Sequence, residues 1–425
     1  MALTILFVLL AVLLIIGVPV AVSLAVASLV YIMIDGLPEV VLVHNMINGI
    51  DSFPLLAIPF FILAGHLMNT AGITTKIFAF ARALVGWMHG GLGHVNVGAS
   101  IIFAGMSGAA VADAGGLGNV EIKAMRDAGY DTDFSVGITA ASSTIGPIIP
   151  PSLPLVIFGV MASASIGELF AAGLIPGLLM ALSLMIMVAI YSRRRSYPRD
   201  AAFDPRRLWV TFKGAFFPLL TPVIVVGGIV TGAFTPTEAA VAAVAYALFL
   251  GLVIYRSLNW RHLVRVSIDT IETSAAILMI VAAATIFAWI LTANQVATLL
   301  GDSLLDLTEN KYILVMIIMA MVLLIGMFME TIAAITILVP VLLPIAAKVG
   351  LDPVHLGIIV ILNLMIGLLT PPVGMVLYVL ADVAGVRFEQ CVKATMPFLV
   401  PLVIVLLLIA FFPQIALWLP TEIYR

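Results

Sequence analysis

The chain has 425 residues, 63% of them hydrophobic and 10% charged, with a formal net charge of −3 and a mean hydropathy of +1.24. Soluble domains carry about 25% charged residues, so a sizeable soluble domain is excluded, and no G-x-x-x-x-G-K-[ST] loop supports an ATPase. The single cysteine, Cys391, excludes an internal disulfide or Cys-rich metal site, and six scattered histidines supply no paired metal ligands.

A spanning helix needs roughly 20 apolar residues, and such stretches recur from end to end. Residues 2–34 are apolar with no basic residue ahead of them, unlike a cleaved signal peptide, and read as mature membrane helices. Helices are expected at about 2–17, 18–35 and 53–69. Apolar pieces at about 92–106 and 109–125 meet at a Gly- and Ser-rich point. The run at about 133–160 is interrupted by Ser142–Pro151, and a helix at about 171–192 ends on Arg193, Arg194 and Arg195. Further helices are expected at about 211–231, 237–255 and 274–293. Pieces at about 312–327 and 330–347 meet near Glu330, a broken run covers about 355–380, and a last helix about 397–418.

Short basic loops lie in the cytoplasm. The densest, Arg193 to Arg207, therefore joins two halves on the inside. Counting crossings from it puts Lys123 with Arg126, Arg256 with Arg265, and Arg387 with Lys393 on the same side, and both termini outside. Trp209, Trp260, Trp289 and Trp418 fall near helix ends, where tryptophan anchors at the interface.

The halves repeat. Pro150-Pro151 stands in one broken run and Pro371-Pro372 in the other; Glu168 and Glu389 each follow by 17 residues, Pro176 and Pro397 by 25. The charge count makes the repeat inverted: residues 1–192, a basic linker 193–210, and residues 211–425. Paired, Gly/Pro-interrupted segments of this kind point to a secondary transporter with its site near the midplane. Ser142–Pro147 and Leu369–Gly374 are expected to be unwound strands between half-helices. Carbonyls freed by proline and Ser/Thr hydroxyls suit a small cation, and half-helix N-termini suit an anion.

Asp51–Gly65, Gly105–Ala114 (GMSGAAVADA), Ser142–Leu153 (SSTIGPIIPPSL), Gly232–Ala240 and Leu368–Gly374 (LLTPPVG) resemble the large, DctM-type membrane subunit of tripartite ATP-independent periplasmic (TRAP) transporters. The resemblance runs almost the whole chain. It implies an all-α polytopic membrane protein with two re-entrant hairpins, two broken helices and an elevator mechanism. It also implies sodium as coupling ion with no other cofactor. A periplasmic binding protein (DctP type) would deliver a small organic anion, and a small membrane subunit (DctQ type) would accompany this chain. The setting is the lipid bilayer of a bacterial inner membrane, with both termini periplasmic; no nucleic-acid partner and no enzymatic activity are expected. No small-subunit segment precedes Met1, so an unfused subunit is expected.

Sodium ligands are expected in two groups. Ser107 and Gly108, at the first hairpin tip, should face Ser142, Thr144, Gly146 and Pro147. Glu330 and Thr331, at the second, should face Thr370, Pro372 and Gly374. Asp113, a buried carboxylate by pattern, belongs with Ser143 and Pro150 to the substrate side or orients the tip. Ala109 departs from a second serine common in the family. Glu238, in Thr235-Pro236-Thr237-Glu238, fits an N-capped helix start, and His66 fits helix packing. The competing reading is a stand-alone ion-coupled carrier of citrate, dicarboxylates or an inorganic anion, working without a binding protein.

Overall fold

A bilayer offers no partner to a bare N–H or C=O, so each segment must satisfy its own backbone. The outcome is helix throughout. The computed structural model describes residues 2–199, 202–308 and 310–424, without the side chains of 105–107 and 303–307. Among the described residues there are twenty α-helices and no strand.

The first half comprises α1 (Ala2–Ile16), α2 (Val20–Ile34), α3 (Val40–Ile50), α4 (Ala57–Thr70), α5 (Ile73–Val85), α6 (Gly91–Ser107), α7 (Ala110–Asp127), α8 (Thr132–Ser143), α9 (Leu153–Ala162) and α10 (Ile166–Arg195). The second comprises α11 (Pro205–Val230), α12 (Pro236–Phe249), α13 (Trp260–Ala293), α14 (Val296–Leu307), α15 (Lys311–Gly326), α16 (Thr331–Lys348), α17 (Pro353–Gly367), α18 (Met375–Ala384), α19 (Phe388–Phe411) and α20 (Gln414–Tyr424). Seven helical stretches among the described residues are long and apolar enough to cross a bilayer. Trp209, Trp260, Trp289 and Trp418 are all exposed, as membrane-interface anchors require.

The elements that sequence reading passed over are α3, α5 and α14. These carry alternating polar faces, and a search for unbroken apolar runs does not register them. Helix α13 is also longer than the expected 274–293. Its start is set by Asn259, whose side chain accepts the His262 N–H at 2.9 Å, so Arg261 and Arg265 are helical rather than loop. The last helix likewise starts earlier, at Phe388, and is split from α20 at Pro413. A proline there removes a donor and disfavours helix in the residue before it.

Two short turns make hairpins of α6 with α7 and of α15 with α16, and two helices are interrupted, α8/α9 and α17/α18. Helix α7 packs on α18, and α16 packs on α9. Helices α2 and α12 lie outside this group, against α13 and α4 respectively. A separate apolar cluster, Leu6, Leu24, Ala283 and Phe287 among others, ties α1 and α2 to the far end of α13.

Where α10 ends, Asp131 at the head of α8 accepts Arg195 Nη1 and Tyr197 OH, each at 2.6 Å. The Tyr197 ring stacks on Tyr130 at 4.6 Å between centroids. The Tyr197 and Arg195 hydrogen bonds hold the Asp131 carboxyl below the usual carboxylate range. Burial and the bond to Asp131 push the Tyr197 phenol up to about 12. This contact docks the chain leaving α10 onto the start of the first interrupted helix.

Helix α12 begins with a complete capping box: Thr235 Oγ1 accepts the Glu238 N–H at 3.3 Å, and Glu238 Oε2 accepts the Thr235 N–H at 2.8 Å. Thr235→Ala is therefore expected to cost about 1 kcal/mol of stability and to leave sodium activation of transport unchanged. Thermal denaturation beside a sodium titration of uptake checks both halves of that expectation.

Candidate functional site

The first hairpin turns at Gly108, whose φ of +60° is the left-handed conformation that favours glycine. The turn is pressed against the first interruption. A Cβ at Gly108 would stand 2.8 Å from Pro151 O and 3.3 Å from Leu153 N. One turn into α7, Asp113 is 2% exposed, and its Oδ2 occupies the space that a Cβ at Gly146 would need. The tip thus meets the break at both ends, Gly146 and Pro151–Leu153. Ser107, expected here, lies outside the residues whose side chains are described.

The break itself differs from the expected unwound strand. Residues 144–148 form compact turns, with Thr144 N to Ala141 O at 3.3 Å, Ile145 N to Ser142 O at 3.0 Å and Ile148 N to Ile145 O at 3.1 Å, and the backbone is extended at Ser152. The physical reason is the need to pair buried N–H groups. An extended segment would need a neighbouring strand, whereas turns of this spacing satisfy themselves. Leu369 N to Ile366 O at 3.1 Å and Thr370 N to Gly367 O at 2.9 Å do the same in the second break.

The hydroxyl groups share one orientation. Ser143 Oγ donates to Ala140 O at 2.8 Å, Thr144 Oγ1 to Ala141 O at 2.6 Å, and Thr370 Oγ1 to Ile366 O at 2.7 Å. Ser142 Oγ donates to Asn96 Oδ1 at 2.6 Å. Each proton is given away to a protein oxygen, so the lone pairs remain as acceptors, the state a cation ligand needs. Pro147 O accepts Ser152 Oγ, and that hydroxyl also caps α9 at the Leu155 N–H. Ser142, Ser143, Thr144 and Ser152 are all buried. The Pro150–Pro151 and Pro371–Pro372 bonds are both cis.

The second tip meets its break differently. Met327 O accepts the Val373 N–H at 3.3 Å. Gly326 and Gly367 bring their backbones together so closely that a Cβ at Gly367 would stand 2.7 Å from Gly326 C. Glu330 caps α16, accepting the Ile332 N–H at 2.8 Å and the Ala333 N–H at 3.2 Å through Oε2. Thr331 is buried as the first residue of that helix, Gly374 stands at the left-handed entry to α18, and Pro372 is exposed. Gly367 and Val373 thus tie the end of α15 to the second break, on either side of Thr370. Ile145-Gly146-x-x-x-Pro150-Pro151 and Ile366-Gly367-x-x-x-Pro371-Pro372 share one pattern, and a Cβ at either glycine would meet the neighbouring hairpin, Asp113 in one case and Gly326 in the other.

Beside the first tip lies a cavity of about 150 Å³, walled by Ile62 and His66 of α4, Phe103, Ala109 and Ala112 of the hairpin, and Leu153. It is smaller than the roughly 300 Å³ at which small-molecule pockets begin. A larger opening of about 700 Å³, between Arg82 and Lys123, is about 20 Å along α7 from the tip at 1.5 Å per residue and takes no part in the site.

Two buried polar residues escaped sequence reading. Glu121 of α7 is 2% exposed and Asn96 of α6 is fully buried. The Asn96 amide donates to Glu121 Oε2 at 2.8 Å and to Thr139 Oγ1 at 2.7 Å. In the second half, Asn363 Nδ2 of α17 donates to Met319 O of α15 at 2.5 Å. Among the described residues no group of three His, Cys, Asp or Glu is placed to hold a metal ion.

Residues 7–415 match the family described as "Tripartite ATP-independent periplasmic transporter, DctM component". The chain is 48% identical over 405 residues to the sialic acid TRAP transporter large permease protein SiaM of Vibrio cholerae, covering 95% of each. It is 43% identical over 406 residues to the sialic acid TRAP transporter permease protein SiaT of Haemophilus influenzae, covering 95% of this chain and 66% of that one. The crystal structure of the Alcanivorax borkumensis YdaH transporter superposes with a TM-score of 0.61 at 16% identity, covering 88% of this chain and 87% of the other. That last likeness speaks to the fold alone.

Proposed function

This chain belongs to the DctM component family of TRAP transporters, membrane permease subunits and not enzymes, and on that footing we propose that it imports a small organic anion driven by sodium. The anion is delivered by a periplasmic binding protein, and a small membrane subunit completes the permease in the bacterial inner membrane. The observation that carries the reading is the repeated meeting of hairpin tip and broken helix, with hydroxyl protons turned back and oxygen lone pairs left open.

In this reading the first sodium is held among Ser107, Gly108, Ser142, Thr144, Gly146 and Pro147. The second is held among Glu330, Thr331, Thr370, Pro372 and Gly374. Glu330 contributes through the oxygen that capping leaves over. Asp113, Ser143 and Pro150 face the substrate or fix the tip. The helix N-termini at Leu153 and Met375 offer partial positive charge to a carboxylate.

The inverted repeat is supported by matched packing in the halves: the first hairpin packs on α8 and on α18, and the second on α17 and on α9. Helices α2, α4, α12 and α13 form the scaffold against which hairpins and interrupted helices slide as an elevator. The arginine-rich linker lies in the cytoplasm and both termini lie outside.

The test is uptake into proteoliposomes holding this chain and its small partner, with sialic acid first among the acids tried because two relatives are named for it. Accumulation is expected only when the loaded binding protein is supplied. Equal uptake of free acid without that protein would replace this reading with a stand-alone carrier.

A further inference from the structure

The carboxamide of Asn96 has four hydrogen-bonding positions, and three have identified partners. Both N–H groups of Nδ2 are donated, one to Glu121 Oε2 at 2.8 Å and one to Thr139 Oγ1 at 2.7 Å. Oδ1 accepts the Ser142 hydroxyl at 2.6 Å, the shorter of that hydroxyl's two contacts, the other being Thr139 O at 3.2 Å. The four residues come from three helices, α6, α7 and α8, and each is at most 2% exposed, so no solvent competes for these bonds.

The orientation of that amide is decided by Glu121. Turned over, Asn96 would set an oxygen against Glu121 Oε2 and Thr139 Oγ1 and would present an N–H to Ser142. Ser142 would then have to accept from Asn96, and a lone pair needed by a cation would be used up. With Glu121 in place, Ser142 donates, and both its lone pairs stay free. Ser142 lies one residue from the end of α8, where the first break begins.

We propose that Glu121 and Asn96 are positioning residues for the first cation site, acting through Ser142 to hold its hydroxyl as an acceptor. The proposal rests on the sodium reading given above. Neither residue touches the ion. Their effect is on the ligand's proton, much as outer partners orient the ligands of a metal and change its affinity by about 10–100-fold. Between Glu121 and the tip, α7 carries one other charged residue, Asp113, itself beside Gly146. What matters at Glu121 is therefore an acceptor oxygen aimed at Asn96, and glutamine can supply one.

The experiment is a sodium titration of the thermal stability of the purified permease complex, with potassium as the control ion. A bound ion raises the melting temperature by mass action, as RT ln(1 + [Na+]/Kd), so the sodium concentration at which the rise sets in reports affinity even when a variant is less stable overall. Ser142→Ala, Asn96→Leu and Glu121→Leu are each expected to raise that concentration by about tenfold or more, with Glu121→Gln close to the wild type. Thr139→Val keeps its shape and serves if a larger change does not fold; it is expected to raise the value by about threefold.

If Ser142→Ala is shifted while Asn96→Leu and Thr139→Val titrate like the wild type, the positioning role is wrong and the sodium site stands. If Ser142→Ala itself titrates like the wild type, the site reading at that residue falls and the positioning role with it. If Glu121→Gln is as impaired as Glu121→Leu, charge rather than an acceptor oxygen is at work and the proposal is overturned.

Discussion

Replacing Gly367 by alanine is expected to abolish uptake and to cost roughly 1–3 kcal/mol of stability. The added carbon would stand 2.7 to 2.9 Å from the C, Cα and O atoms of Gly326. These are backbone atoms, and they cannot rotate aside as a side chain would. The second hairpin must then retreat from the second interruption, and the Val373 N–H to Met327 O bond at 3.3 Å goes with it. Gly116→Ala is the comparison. A Cβ there meets nothing within 4 Å, and alanine favours helix over glycine by about 1 kcal/mol. That variant should transport normally and melt no lower than the wild type. Uptake per folded molecule, measured with the melting temperature of each variant, separates the two.

Asp113→Asn is expected to lower uptake by about tenfold or more, equivalent to about 1.4 kcal/mol or more, with folded yield preserved. The exchange is nearly isosteric, so packing against Gly146 is kept and only the negative charge is lost. A carboxyl that is 2% exposed at membrane depth is expensive to keep and is functional by default. Its place beside the break puts that charge where a cation ligated by Ser142 or Thr144 would benefit from it. A fall in folded yield alone, with uptake per folded molecule unchanged, would make Asp113 a structural residue.

Much of the architecture was readable because it depends on strong local signals. Pro150-Pro151 and Pro371-Pro372 mark the interruptions, since no proline pair continues a buried helix. Gly108 marks the first turn because only glycine takes its conformation easily. Glu238 was readable as a cap from four consecutive residues. The remainder depends on partners distant in the chain. Asn96 and Glu121 are 25 residues apart on opposite legs of a hairpin, and neither stands in a pattern that names the other. The approach of Gly326 to Gly367 requires two helices to be placed before it can be seen. Helices α3, α5 and α14 are not legible as apolar runs because they are amphipathic. The compact turns in the breaks are not legible in the sequence, because proline and glycine announce that helix stops, not what replaces it.

The central claim is that sodium drives this permease, and an imposed gradient tests it most directly. Proteoliposomes carrying the chain, its small partner and the loaded binding protein would receive either an inward sodium gradient or an equal potassium gradient. The expected result is accumulation above the external concentration with sodium only, collapsing when a sodium ionophore is added. Equal accumulation under potassium, or accumulation that survives the ionophore, would contradict it.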